Sequence, residues 1–317
     1  MEHYGLLRPL LLQGLLNTEV PSNCSDFKKW ISSGQFVVRN IPTTKTVEIE
    51  VNNEYSFNHM IAFDSCRMAV ASFETMQNIQ SVTSLPKSYG WIAIKSYYAA
   101  FFSAHSIMRC FGYTCSQLEK GHVDLLNSFG NVVGLSGSMK PEAGYFSGVY
   151  DSNLRIHTLK KMKNTHQDTW RTLVECLRML SRNVLSVTGL SSSKQKISAN
   201  IDEIISRLTN QGRLSNGSYL SKFRNDVNYR HEYDSWHPYG KSSIRSSKIV
   251  SFLSTWKVKV EAPTSIWKES HEAYDFFVSC REIVNLNYVL IRLIVENSGQ
   301  RKNLYKQWPN KLLNIAG

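Results

Sequence analysis

A mainly α-helical fold is what the sequence predicts, on three observations. Four long stretches repeat apolar residues at helical spacing, at about 57–79, 90–111, 167–187 and 270–296. Strand-type alternation is convincing only near residues 36–51. Breakers and turn formers (Pro86, Gly112, Gly212, Asn216-Gly217) fall between the stripes and not inside them.

Residues 1–55 read as an accessory segment: a short helix near 4–16, then two strands, 36–40 and 46–51, making a small N-terminal β-hairpin. The helical body spans 56–298. Its first helix carries Phe57, Met60, Ile61, Met68, Phe73 and Met76. The second, about 90–111, is apolar over much of its circumference (Trp91, Ile94, Tyr97, Tyr98, Phe101, Phe102, Ile107), so it is expected at the centre, with Gly112 ending it. Residues 112–165 are rich in Gly and Ser and read as a loop insertion with a short helix near 117–129. A third long helix spans 167–187; Ser191-Ser192-Ser193-Lys194 reads as a linker before a short helix through Ile201, Ile204, Ile205 and Leu208. A second insertion, 234–268, contains Pro238 and Gly240 and, over 239–260, the cations Lys241, Arg245, Lys248, Lys257 and Lys259 with no acid. Residues 299–317 form a basic tail.

The chain has 37 Lys+Arg against 25 Asp+Glu, a formal net charge of +12. Such a surface attracts polyanions, nucleic acid first among them. Six scattered cysteines, with only Cys110 and Cys115 close together, lack metal spacing and suit a reduced, cytoplasmic protein. No secretory signal or membrane-spanning run is visible. Phosphate loops, dinucleotide fingerprints, zinc motifs, nucleophile elbows and two-metal carboxylate clusters are all absent, so no cofactor or metal is expected. Phosphodiester chemistry in this chain would then be metal-independent.

One stretch stands apart: Arg224-Asn225-Asp226-Val227-Asn228-Tyr229-Arg230-His231-Glu232-Tyr233. On a continuous helix starting after Ser218, Leu220, Phe223 and Val227 make an apolar stripe. Arg224 and His231, seven residues apart, fall along that same stripe at about 100° per residue. A cation and an imidazole on a buried face need a reason, because lone buried polar groups cost a few kcal/mol. Arg224 could reach a carboxylate while His231 is a satisfied core histidine. Alternatively the pair serves phosphate chemistry, a planar donor fork beside a group that exchanges protons near neutral pH.

Arg224-Asn225-x5-His231, together with the aromatic and Ala-rich helix Lys95–Arg109 and Gly112, resembles the HEPN superfamily signature over roughly residues 57–298. That resemblance implies an antiparallel helical bundle that dimerises, two motifs sharing one cleft. It also implies a metal-independent endoribonuclease of the toxin or antiviral-defence type, with RNA as substrate and an antitoxin or defence protein as a possible partner. Arg224, Asn225 and His231 would be catalytic: His231 as general acid or base, Arg224 stabilising the phosphate, Asn225 orienting the histidine or the RNA. Attack by the RNA 2′-OH would leave a 2′,3′-cyclic phosphate. Arg230, Lys241, Arg245 and Lys248 are the RNA-contact candidates. Tyr233, in His231-Glu232-Tyr233, resembles the tyrosine modified in some toxins of that family, and equally suits aromatic packing. A catalytically silent RNA-, nucleotide- or protein-binding module and a purely structural helical regulator are the competing functions.

Overall fold

The computed structural model describes residues 4–20, 25–80, 88–135, 140–210, 212–236, 246–258 and 271–315. Cys24, Pro86, His237, Pro238, Gly240, Lys241, Arg245 and Lys259 lie outside the described residues.

Helices dominate, as the periodicity predicts, beside one five-stranded antiparallel sheet. Residues 4–16 make two short 3-10 turns, Tyr4–Leu10 and Leu15–Asn17, and no α-helix; Pro9 and a left-handed Gly14 interrupt the segment. Then come α1 (Phe27–Ser32), started by Asp26 accepting the Lys29 N–H at 2.9 Å, and the strands β1 (Phe36–Thr43) and β2 (Thr46–Val51). Helix α2 (Glu54–Gln80) runs beside α3 (Gly90–Cys110). Small residues let their axes approach closely: Ser72 bonds Ser103 at 2.7 Å and the Ala99 carbonyl at 2.8 Å, and Ser65 bonds Ser106 at 3.1 Å. Asn287, from the last long helix, donates to Ser103 at 3.2 Å, so α3 is enclosed as its composition predicts.

The reading of 112–165 as a loop insertion is corrected by the structure. It contains β3 (Tyr113–Leu118), α4 (Lys120–Val132), β4 (Gly144–Asp151) and β5 (Ile156–Lys161). The N-terminal strands join them in the order β1-β2-β5-β4-β3, with β2 pairing to β5 through Val47↔Leu159 and Ile49↔His157. The hairpin is therefore one edge of a sheet completed about 100 residues later. One face carries Val47, Ile49, Phe146, Tyr150, His157 and Leu159 and is sealed by aromatic contacts, including Phe27–His157 and Phe57–Tyr150. Gly148 in β4 is dictated by packing: a Cβ there would lie 2.2 Å from His157 and 2.4 Å from Thr114.

Helix α5 (Thr165–Val184) packs on α6 (Ser191–Leu208); the serine run read as a linker is the first turn of α6. After α7 (Tyr219–Asn225) come α8 (Ser246–Ser254) and the long α9 (His271–Asn297), followed by α10 (Leu304–Gln307) and α11 (Pro309–Ile315). The basic C-terminal segment docks on the body: Leu304 and Tyr305 are buried, Trp308 meets Phe63 edge-on, and Asn303 donates to the Leu16 carbonyl at 3.1 Å. Among the described residues no helix is long and apolar enough to cross a membrane.

Candidate functional site

The motif does not continue as an α-helix. Helix α7 ends at Asn225, and Asp226–Arg230 form a π-helical turn closed by His231 N–H bonding to the Asp226 carbonyl. A π turn carries more residues per turn than an α-helix, so the 100° ruler fails across it. His231 then adopts a left-handed conformation (φ 57°) and is exposed. Its placement on the buried stripe with Arg224 is thereby corrected. Its ring leans toward Trp236, with centroids 5.9 Å apart.

Arg224 does turn inward, as the stripe predicts, and is 7% exposed. Its guanidinium carbon sits 5.0 Å from the Tyr97 ring centroid and 5.9 Å from that of Tyr98, both on α3. These are cation–π distances. Among the described residues no carboxylate lies within ion-pair distance of Arg224, and its buried Nε has no hydrogen-bond partner. A nearly buried guanidinium held by two tyrosines, with one donor unmatched, is electrostatically unbalanced and suited to an anion.

The imidazole beside Arg224 is His166, which lies outside the Arg224–Tyr233 motif. Local sequence fixes it in the first turn of α5: Asn164 caps the helix by accepting from Gln167 at 3.0 Å, and Asp168 accepts from Lys163 and Asn164 at 2.7 and 2.8 Å. His166 Nδ1 lies 3.0 Å from the Tyr97 hydroxyl, which also takes the Trp170 indole N–H at 3.2 Å and meets Ser221 at 3.1 Å. Trp170 can only donate, so Tyr97 is free to give its proton to Nδ1 of a neutral His166. Burial holds the His166 pKa below its usual range, and the Arg224 charge adds to the effect. A neutral imidazole is competent to accept a proton. The only advance signal for His166 was its place behind a capping Asn164, which speaks for helix position and not for chemistry.

The remaining motif residues serve the turn. Asp226 is buried and gathers Lys222 (2.7 Å), Arg230 (3.1 Å) and the Tyr233 hydroxyl (3.4 Å). Arg230 is exposed, and Glu232 lies 3.9 Å away. Asn225 is exposed at the end of α7. Tyr233 is half-buried and stacks on Phe223 with centroids 4.4 Å apart; burial and the nearby carboxylates of Glu272 and Asp226 raise its phenol pKa. Trp236 anchors the exit loop by donating to the Val227 carbonyl at 2.7 Å, and the Gly90 N–H bonds the Ser235 carbonyl at 2.9 Å. Lys248 is exposed on α8; Lys241 and Arg245 are outside the described residues.

Arg224 thus meets α3 at Tyr97, whereas His231 approaches it through Trp236 at Gly90 and Trp91. Seven residues of helix separate those levels, about 10 Å along the axis. Between them α3 exposes Trp91, Lys95 and Tyr98, and Tyr229 of the π turn is 71% exposed. Compared with known proteins, the chain matches no family model, no curated protein and no solved structure.

Proposed function

We propose that this protein is a metal-independent endoribonuclease of the HEPN type, working as a homodimer in growth arrest or antiviral defence. The observation that carries this reading is Arg224, buried among tyrosines with no carboxylate among the described residues and beside a neutral His166. Arg224 would hold the scissile phosphate and stabilise its added charge. The RNA supplies its own nucleophile, the 2′-OH, and the products would be a 2′,3′-cyclic phosphate and a 5′-OH. His231 would carry a proton from the rim of the cleft, and a second copy covering the Trp91–Tyr98 face would bring two motifs together. His166, on the inner side, would serve as the base or hold Tyr97 in position. An antitoxin or other defence protein would restrain the activity.

A second reading, a catalytically silent RNA-binding module, is favoured by one observation: within a chain, His231 and Arg224 meet α3 about two turns apart. The test is incubation of purified wild type, Arg224→Ala, His166→Ala and His231→Ala with total RNA in EDTA. Loss of either proton carrier is expected to slow cleavage about 10²–10⁴-fold. Total RNA left intact by the folded wild-type dimer, together with salt-sensitive RNA binding, would select the binding module.

A further inference from the structure

A second cationic site shares Phe101 with the cluster around Arg224. A cavity of about 370 Å³ opens where α2, α3, β3 and β4 meet. That is near the lower end of small-ligand pockets, about 300–1,000 Å³. Phe101, Phe102 and Met68 supply its apolar wall. Arg109, 1% exposed, stands in its polar wall. Its Nη1 donates to the His105 carbonyl at 3.1 Å and lies 3.2 Å from His105 Nδ1; its Nη2 reaches Asp64 and the Cys115 carbonyl, each at 3.3 Å. Its Nε–H has no partner. Leaving such a donor buried and unmatched costs about 1–3 kcal/mol, which asks for an acceptor.

The mouth is built for an anion. Arg67 bonds Asp64 through Nε at 2.7 Å, and among the described residues its two Nη groups have no partner; they form the fork that suits phosphate. Lys28 stands on the same lining, paired with exposed Glu119. Asp64 is shared between two arginines, and Asp26 is occupied in capping α1. The cavity lining therefore sets three cations against two carboxylates. His105 is held neutral by burial and by Arg109, and offers its second nitrogen to Tyr145 at 3.4 Å. Ser116 and the exposed amide of Gln117 complete the rim with groups able to bond a base edge.

We infer that this cavity binds a nucleoside phosphate, its base against Phe101 and Phe102 and its phosphate on the Arg67 fork and the Arg109 Nε–H. The source is either a free mononucleotide or the phosphorylated end of an RNA strand. The site is separate from the Arg224 cluster and does not rest on the ribonuclease reading. Phe101 is shared between them: its ring also packs on Tyr97 (5.9 Å) and His166 (4.8 Å).

Calorimetric titration of the full chain with the four nucleoside 5′-monophosphates, the nucleosides, inorganic phosphate and a 5′-phosphorylated, uncleavable 2′-O-methyl dinucleotide tests this. At least one monophosphate is expected to bind with Kd below about 1 mM, and more tightly than its nucleoside or phosphate alone. Arg67→Ala and Phe102→Ala, both at the cavity, are each expected to weaken it about tenfold or more, while Arg39→Ala on the sheet leaves it unchanged. Tighter binding of the dinucleotide than of any monophosphate would identify an RNA end as the source. No heat from any phosphate ligand up to about 5 mM in the folded wild type would overturn the inference. So would binding indifferent to both cavity variants.

Discussion

Arg109 and Arg224 are both buried arginines facing α3 or lying on it, yet their surroundings differ in kind. Arg109 has a carboxylate, two carbonyls and an imidazole around its Nη groups. Arg224 has two tyrosine rings and, among the described residues, no carboxylate. The Nη groups of the first are matched inside the protein, which suits holding α2, α3 and β3 together and leaves only its Nε–H for a ligand. The second has no neutralising carboxylate among the described residues, which is the ground for the proposed phosphate role. A buried arginine is thus a poor functional signal by type alone; the partners it lacks carry the information.

Substitution should separate the two. Arg109→Ala removes one member of a buried pair and is expected to cost about 3–5 kcal/mol of stability, read as a lower urea midpoint. Arg224→Ala should cost about 2 kcal/mol in stability, through its lost ring contacts, but lower RNA cleavage about 10²–10³-fold. Arg224→Lys should recover little of that, because an ammonium lacks the planar fork. If Arg224→Ala unfolds the protein as Arg109→Ala does, the contrast collapses and Arg224 is structural. Smaller in effect is Gly90→Ala. A Cβ there would lie 2.5 Å from the Trp236 ring, so about 1–3 kcal/mol should be lost, and cleavage should fall because Trp236 holds the loop that carries His231.

The contrast extends to imidazoles. His157 is fully buried between sheet and helices, with its Nε2 3.0 Å from the Thr114 hydroxyl, and burial lowers its pKa to about 3. The folded value lies below the unfolded 6.5, so the unfolded chain binds the extra proton first. Its stabilising contribution is whole above pH 6.5 and is lost as pH falls toward about 3. About 2 kcal/mol should be gone by pH 5. His157→Gln should flatten the stability–pH curve in that window; an unchanged acid limb would mean that other groups govern it.

Helical stripes were legible because α2, α3, α5 and α9 bury aliphatic and aromatic residues at a regular spacing. The strands β3, β4 and β5 were not. Gly144 and Gly148 read as loop, although Gly148 is small only because His157 and Thr114 occupy its side-chain space. A faint signal was available in the two-residue spacing of Phe146, Gly148 and Tyr150, and of His157 and Leu159, but Lys160, Lys161 and the glycines dilute it. Similarly, the inward turn of Arg224 followed from its neighbours Leu220, Phe223 and Val227. The neighbourhood of His231 did not, because no spacing rule anticipates a π turn.

By itself, then, the sequence determined the long helices, the N-terminal hairpin and the inward arginine: local periodicity and capping act over a few residues and leave their mark in order. Tertiary structure alone decided which groups meet that arginine. His166 reaches Arg224 from a helix 58 residues earlier in the chain because α3 holds Tyr97 between them, while His231, seven residues away, is carried off by one widened turn. Contacts of that kind depend on how packed helices are rotated against one another, a quantity that no single stretch of sequence specifies.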